Sequence, residues 1–87
     1  MSKTYRVQLV PAAVRALRKL TPDVQERVVL ALALLRTTPR PPNAKKLRAE
    51  GDLYRIRVGD CRVLYQIRDK ALLVLVVEIG HRREVYR

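Results

Sequence analysis

The chain has 87 residues with 19 Lys and Arg against 8 Asp and Glu, a formal net charge of +11. That length fits one domain, residues 1–87, whose core is small because a chain of this size buries only roughly 60% of its unfolded surface. No apolar run approaches the ~18–20 residues of a membrane span, and the stretch Met1-Ser2-Lys3-Thr4-Tyr5-Arg6 lacks the apolar segment of a secretory signal.

In chain order, Tyr5 to Val10 alternates polar and apolar side chains, with Val7 and Leu9 on one face, and reads as a strand. Pro11 suits the first position of a helix that carries Val14, Leu17 and Leu20 on one side and Arg15, Arg18 and Lys19 on the other. Thr21-Pro22-Asp23 restarts a helix, with Thr21 as its N-cap and Asp23 favourably placed at the positive end of the dipole. Val24, Val28, Ala31 and Leu35 continue one stripe. Residues 28–35 contain no polar side chain on any side, so either the sheet and the first helix cover most of them or Leu30 and Leu34 face a partner.

Thr37 to Asn43, with three prolines, ends the helix and forms a stiff loop. Ala44 to Gly51 is basic through Lys45, Lys46 and Arg48 and leads into the sheet. Three strands follow, Leu53–Val58, Cys61–Ile67 and Ala71–Ile79, joined at Gly59-Asp60 and at Arg68-Asp69-Lys70. The last is apolar on both faces, as in a central strand. The single cysteine, Cys61, points to the core by alternation. It cannot form an internal disulfide, so a reducing cytoplasm is the expected compartment. One Cys and one His cannot complete a zinc site, and no metal or other cofactor is expected.

A two-residue loop at Gly59-Asp60 fixes a register. Val58 faces Cys61, Arg57 faces Arg62, Ile56 faces Val63, Arg55 faces Leu64 and Tyr54 faces Tyr65. Tyr54, Ile56, Val58, Cys61, Val63 and Tyr65 then share the core face, and Arg55, Arg57 and Arg62 share the other. Directly opposed like charges destabilise a sheet by a few tenths of a kcal/mol to ~1, so three cations converging with no carboxylate in the strands of the hairpin point to a bound phosphate more than to a solvated basic face whose side chains splay apart. The tail Gly80-His81-Arg82-Arg83-Glu84-Val85-Tyr86-Arg87 follows the buried strand directly and adds the only histidine, a tyrosine able to stack on a base, and further cations.

The order of elements, with Leu-Tyr-Arg-Ile-Arg-Val at 53–58, Cys-Arg-Val-Leu-Tyr-Gln-Ile at 61–67 and Gly-His-Arg-Arg-Glu-Val-Tyr at 80–86, resembles the RelE/ParE superfamily of bacterial toxins from toxin–antitoxin pairs. The resemblance implies an α+β fold of the microbial-RNase type: an N-terminal strand, a helical hairpin and a three-strand antiparallel meander in one four-stranded sheet. It further implies a metal-independent endoribonuclease that cuts mRNA in the ribosomal A site by 2′-hydroxyl attack on the adjacent phosphate. The catalytic set then falls on Arg55, Arg57, Arg62, Arg82 and Tyr86. Lys45, Lys46, Arg48 and Arg83 are expected to contact RNA, whether mRNA or 16S rRNA. An acidic RelB-like antitoxin with an amphipathic helix is expected on Leu30 and Leu34.

One departure bears on the chemistry. Familiar RelE toxins carry lysines where this chain has Arg55 and Arg57, and arginine does not give up its proton. His81 is then the first candidate for the general base and Tyr86 the second, unless positioning of the 2′-hydroxyl by cations suffices. A ParE-like toxin that inhibits DNA gyrase without nuclease activity, and an RNA-binding module without catalysis, are the alternatives.

Overall fold

The computed structural model describes residues 3–47 and 52–81. Strand β1 (Arg6–Leu9) leads into two helices, α1 (Pro11–Arg18) and α2 (Pro22–Leu34). They are followed by β2 (Lys45–Lys46), β3 (Leu53–Val58), β4 (Cys61–Arg68) and β5 (Leu73–His81). The sheet runs β1-β5-β4-β3-β2. The meander β3-β4-β5 is antiparallel, β1 joins β5 in parallel, and β5 occupies an inner position, as its two apolar faces require. The expected four-stranded sheet gains a fifth, two-residue edge strand: Lys45 pairs with Arg55 and Lys46 with Tyr54. The β4–β5 connection is also shifted. β4 extends to Arg68 and β5 begins at Leu73, with a turn between them that ends on Leu72 at φ 50°.

Local chemistry accounts for the helix ends. Pro11 and Pro22 each open a helix where a missing N–H costs nothing. Thr21 occupies the N-cap position, but its hydroxyl donates to Asp23 Oδ1 at 2.9 Å rather than accepting a backbone N–H. Both helices pack on the same side of the sheet, α1 against β5 and α2 against β3. Ala13, Val28, Leu32 and Leu35 meet Tyr54, Ile56, Cys61, Val63, Tyr65, Ile67, Val74, Val76 and Ile79 in one core. Gln25 Nε2 ties the two helices by donating to the Leu17 carbonyl at 3.0 Å. The outer side of α2 is left bare, with Val29, Leu30 and Leu34 exposed by 47, 60 and 69%. Among the described residues, no helix is long and apolar enough to cross a membrane.

A polar network clasps the loop after α2 to the sheet. Arg40 donates to both carboxylate oxygens of Asp69, at 2.9 and 3.3 Å, and through Nε to the Tyr54 hydroxyl at 2.9 Å. The Tyr5 hydroxyl donates to Asp69 Oδ1 at 2.6 Å, and Tyr65 donates to the Pro39 carbonyl at 2.8 Å. The Arg40 hydrogen bonds, followed by that from Tyr5, hold the Asp69 carboxyl at about 2, below its ordinary 3.8. A carboxyl pKa lowered by folding contributes stability above the unfolded value, and that contribution is lost as pH falls from 3.8 through about 2. Asp69→Asn is therefore expected to flatten the acid side of the stability profile, read as urea midpoints between about pH 5 and 2.

Candidate active site

The hairpin register is the one that the two-residue turn dictates: Val58–Cys61, Arg57–Arg62, Ile56–Val63, Arg55–Leu64 and Tyr54–Tyr65. Gly59 takes φ 59°, and the turn has a positive φ at its first central residue only, the pattern of a type II′ turn. A side chain at Gly59 would be strained by this backbone, and its Cβ would lie 3.9 Å from the Arg27 guanidinium of α2. Tyr54, Ile56, Cys61, Val63 and Tyr65 are buried under the helices and Val58 is half-buried, as alternation requires. Arg55 and Arg62 are half-buried and Arg57 exposed on the opposite, helix-free face.

Extending the register across β5 gives the site its layout. Arg62 stands between Arg57 on β3 and Gly80 on β5, so the central arginine has a neighbour without a side chain. The next row runs Lys45, Arg55, Leu64 and Glu78 across β2, β3, β4 and β5. Opposed residues stand roughly 4.5–5.5 Å apart and diagonal ones ~7–8 Å, so the guanidinium groups of Arg55, Arg57 and Arg62 can converge on one phosphate. A face with this charge is suited to hold a polyanion and to stabilise negative charge developing on it.

A bulge in β5 decides which residues share that face. Leu64 pairs with Glu78 but Tyr65 pairs with Val76, leaving Val77 as the additional residue. Before it, Val74 and Val76 point to the core. After it, Ile79 takes that direction and Glu78 turns outward. His81 pairs with Cys61, so the backbone directs it to the helix-covered side. The first candidate for the general base therefore does not share the arginine face. Lys45 joins that face through Arg55, whereas Lys46, opposite Tyr54, does not. Arg48, Arg82, Arg83 and Tyr86 lie outside the described residues.

Sequence reading missed Glu78. It is the only acidic residue in any of the five strands, and the bulge that turns it outward leaves no mark in the periodicity of an all-apolar run. Leu30 and Leu34 are exposed as expected, on the outer side of α2 and hence across the sheet from the arginines. A separate hollow, lined by Asp52, Gln66 and residues 67–71, sits at the far end of β4 from Arg62.

Comparison with known proteins gives concordant results. The family model described as ParE toxin of type II toxin–antitoxin system, parDE, matches residues 7–86. The mRNA interferase toxin RelE of Escherichia coli K12 is 35% identical over 78 residues, covering 85% of this chain and 81% of the relative. Among solved structures, the archaeal RelE–RelB complex from Pyrococcus horikoshii superposes with a TM-score of 0.82 at 32% identity, covering 91% of this chain and 96% of that one. The toxin–antitoxin complex RelBE2 from Mycobacterium tuberculosis gives 0.79 at 33% identity, covering 91 and 99%.

Proposed function

Because this chain belongs to the RelE/ParE superfamily of toxins of type II toxin–antitoxin systems, we propose that it is an mRNA interferase that cleaves ribosome-bound message in the A site. The observation that carries this reading is the row Arg57–Arg62–Gly80 with Arg55 beside it, on the open face of the sheet. The ribose 2′-hydroxyl attacks the adjacent phosphorus, the P–O5′ bond breaks, and the products are a 2′,3′-cyclic phosphate and a 5′-hydroxyl. Guanidinium groups fixed around the phosphate stabilise the extra negative charge of the transition state, so the reaction in this reading runs without a metal ion. Arg82 would add to that charge and Tyr86 would stack on a base. A ribosomal target implies the cytoplasm as the site of action.

The test is induction in cells, followed by primer extension on abundant messages. Cuts inside translated codons are the expected result. Intact message, together with inhibition of purified gyrase in a supercoiling assay, would overturn this reading in favour of a ParE-like toxin.

The partner in this reading is an antitoxin, as in the RelE–RelB complexes, and an acidic one. Its amphipathic helix would cover Val29, Leu30 and Leu34, and its acidic residues would answer the +11 charge. That patch and the arginine row lie on opposite sides of the sheet, so an antitoxin seated on α2 must also reach around an edge to block the row. The double substitution Leu30→Asp with Leu34→Asp is expected to weaken antitoxin binding at least about 100-fold, since burying each leucine is worth ~1.5–3 kcal/mol. Titration calorimetry with the purified antitoxin measures it.

A further inference from the structure

Resting on the interferase reading, we propose that Glu78 is the general base that takes the proton from the attacking 2′-hydroxyl. The site as drawn from its arginines has abundant positive charge and no group to accept a proton, because arginine stays protonated. The backbone turns His81 toward the Cys61 side of the sheet. Glu78 is the one carboxylate on any strand, and the Val77 bulge places it on the arginine face, exposed.

Its position suits the role. Glu78 lies diagonal to Arg62 across β4 and on the same row as Arg55, with Leu64 between them. Strands are spaced ~4.7–4.9 Å apart, so Glu78 and Arg55 flank a Leu64 floor roughly 10 Å wide. A ribose-phosphate unit lying there would place its phosphate over Arg57 and Arg62 and its 2′-hydroxyl toward β5. The ionisable groups facing Glu78 from the neighbouring described strands are all cations: Arg62 on β4, Arg55 and Arg57 on β3, and Lys45 on β2. β1 ends opposite Val76, and its one charged residue, Arg6, is again a cation and lies opposite Leu73 at the far end of β5; the helices lie on the other face. Among the described residues Glu78 makes no ion pair, the only such bridge being Arg40–Asp69. Its carboxylate is thus not committed to a described guanidinium.

In the step itself, a Glu78 Oε atom takes the 2′-hydroxyl proton while the 2′-oxygen forms its bond to phosphorus. The electron pair of the P–O5′ bond leaves with the 5′-oxygen, which takes a proton from water. A second water or hydroxide then removes the proton from Glu78.

The experiment is single-turnover cleavage of mRNA on programmed ribosomes, by wild-type protein, Glu78→Gln, Glu78→Asp and Arg62→Ala, followed from about pH 4 to 8.5, a range that reaches into that of carboxylate titration. Glu78→Gln is expected to lose about 10²–10³-fold in rate and to lose the acid limb of the pH–rate profile. Glu78→Asp should recover part of the rate with the limb restored. Arg62→Ala should be slow but keep the limb. If Glu78 served only to balance the charge of Arg62, its substitution would leave the limb intact. A smaller loss for Glu78→Gln, a gain in rate, or any loss with the acid limb unchanged overturns the proposal. Absence of cleavage by the wild-type protein overturns the interferase reading, and this assignment with it.

Discussion

Arg62→Ala is expected to slow mRNA cleavage by about 10²–10³-fold, a loss of roughly 2.7–4 kcal/mol of transition-state stabilisation, and to abolish growth arrest on induction. Arg62 is the middle cation of its row, half-buried on β4, between Arg57 and the bare Gly80. Half-burial fixes the direction of the side chain and lowers the local dielectric, so its charge counts for more than that of exposed Arg57. The same substitution removes one of two directly opposed like charges and so relieves about 0.2–1 kcal/mol of repulsion. The variant should therefore melt at or slightly above the wild-type temperature while cutting poorly. That opposition of signs separates a functional residue from a structural one, because a residue kept for folding loses stability and activity together. Arg62→Lys keeps the charge but not the forked donor geometry, and should fall between the two. Single-turnover cleavage alongside a calorimetric melt reads both quantities. Wild-type cleavage by Arg62→Ala would remove the arginine row from the mechanism.

The legible parts of this molecule were those written in short-range chemistry. Gly59-Asp60 can close a two-residue hairpin, and from that alone the pairing of Arg57 with Arg62 and of Tyr54 with Tyr65 follows. Pro11 and Pro22 open their helices, and the unbroken apolar run at 28–35 leaves Leu30 and Leu34 exposed. Three features depended on contacts between distant segments. The β5 bulge arises where Tyr65 meets Val76, and nothing within the run Leu73–Ile79 marks Val77 as the additional residue. That one residue reverses the faces of Glu78 and His81, and with them the choice of proton acceptor. The pairing of Arg40 with Asp69 spans 29 residues and converts the proline-rich segment from a stiff loop into one clasped to the sheet. The two-residue strand Lys45–Lys46 is too short to show any periodicity, yet it brings Lys45 beside Arg55. Fold and arginine row are thus consequences of turn and pattern, whereas the proton chemistry of the site is set by tertiary pairing.

Tyr65→Ala is expected to come close to unfolding the protein. Tyr65 has no exposed surface, stands in β4 opposite Tyr54, and stacks on that ring with centroids 5.9 Å apart. Truncating a large buried aromatic costs about 3–5 kcal/mol, against a total of ~5–15 kcal/mol for a domain, and a chain this small sits toward the lower end. At ~4–8 °C per kcal/mol, the melting temperature should fall on the order of 20 °C. Tyr65→Phe divides the effect into parts. It keeps the ring and the packing but loses the hydrogen bond to the Pro39 carbonyl, worth about 1 kcal/mol, and with it one of the ties holding the proline loop. The two variants should also differ in alkali. Burial first, and the neighbouring Tyr54 second, push the Tyr65 hydroxyl up to about 12 from 10.0, so folding favours the neutral phenol. Stability from this source is complete below 10.0 and is lost as pH rises toward 12. Tyr65→Phe should therefore show a shallower decline above about pH 10, with the remainder left to Tyr5, whose hydroxyl is raised by its bond to Asp69. Urea unfolding of the three proteins across that range measures each part. An alkaline decline identical in Tyr65→Phe and wild type would show that the buried phenol does not couple ionisation to folding.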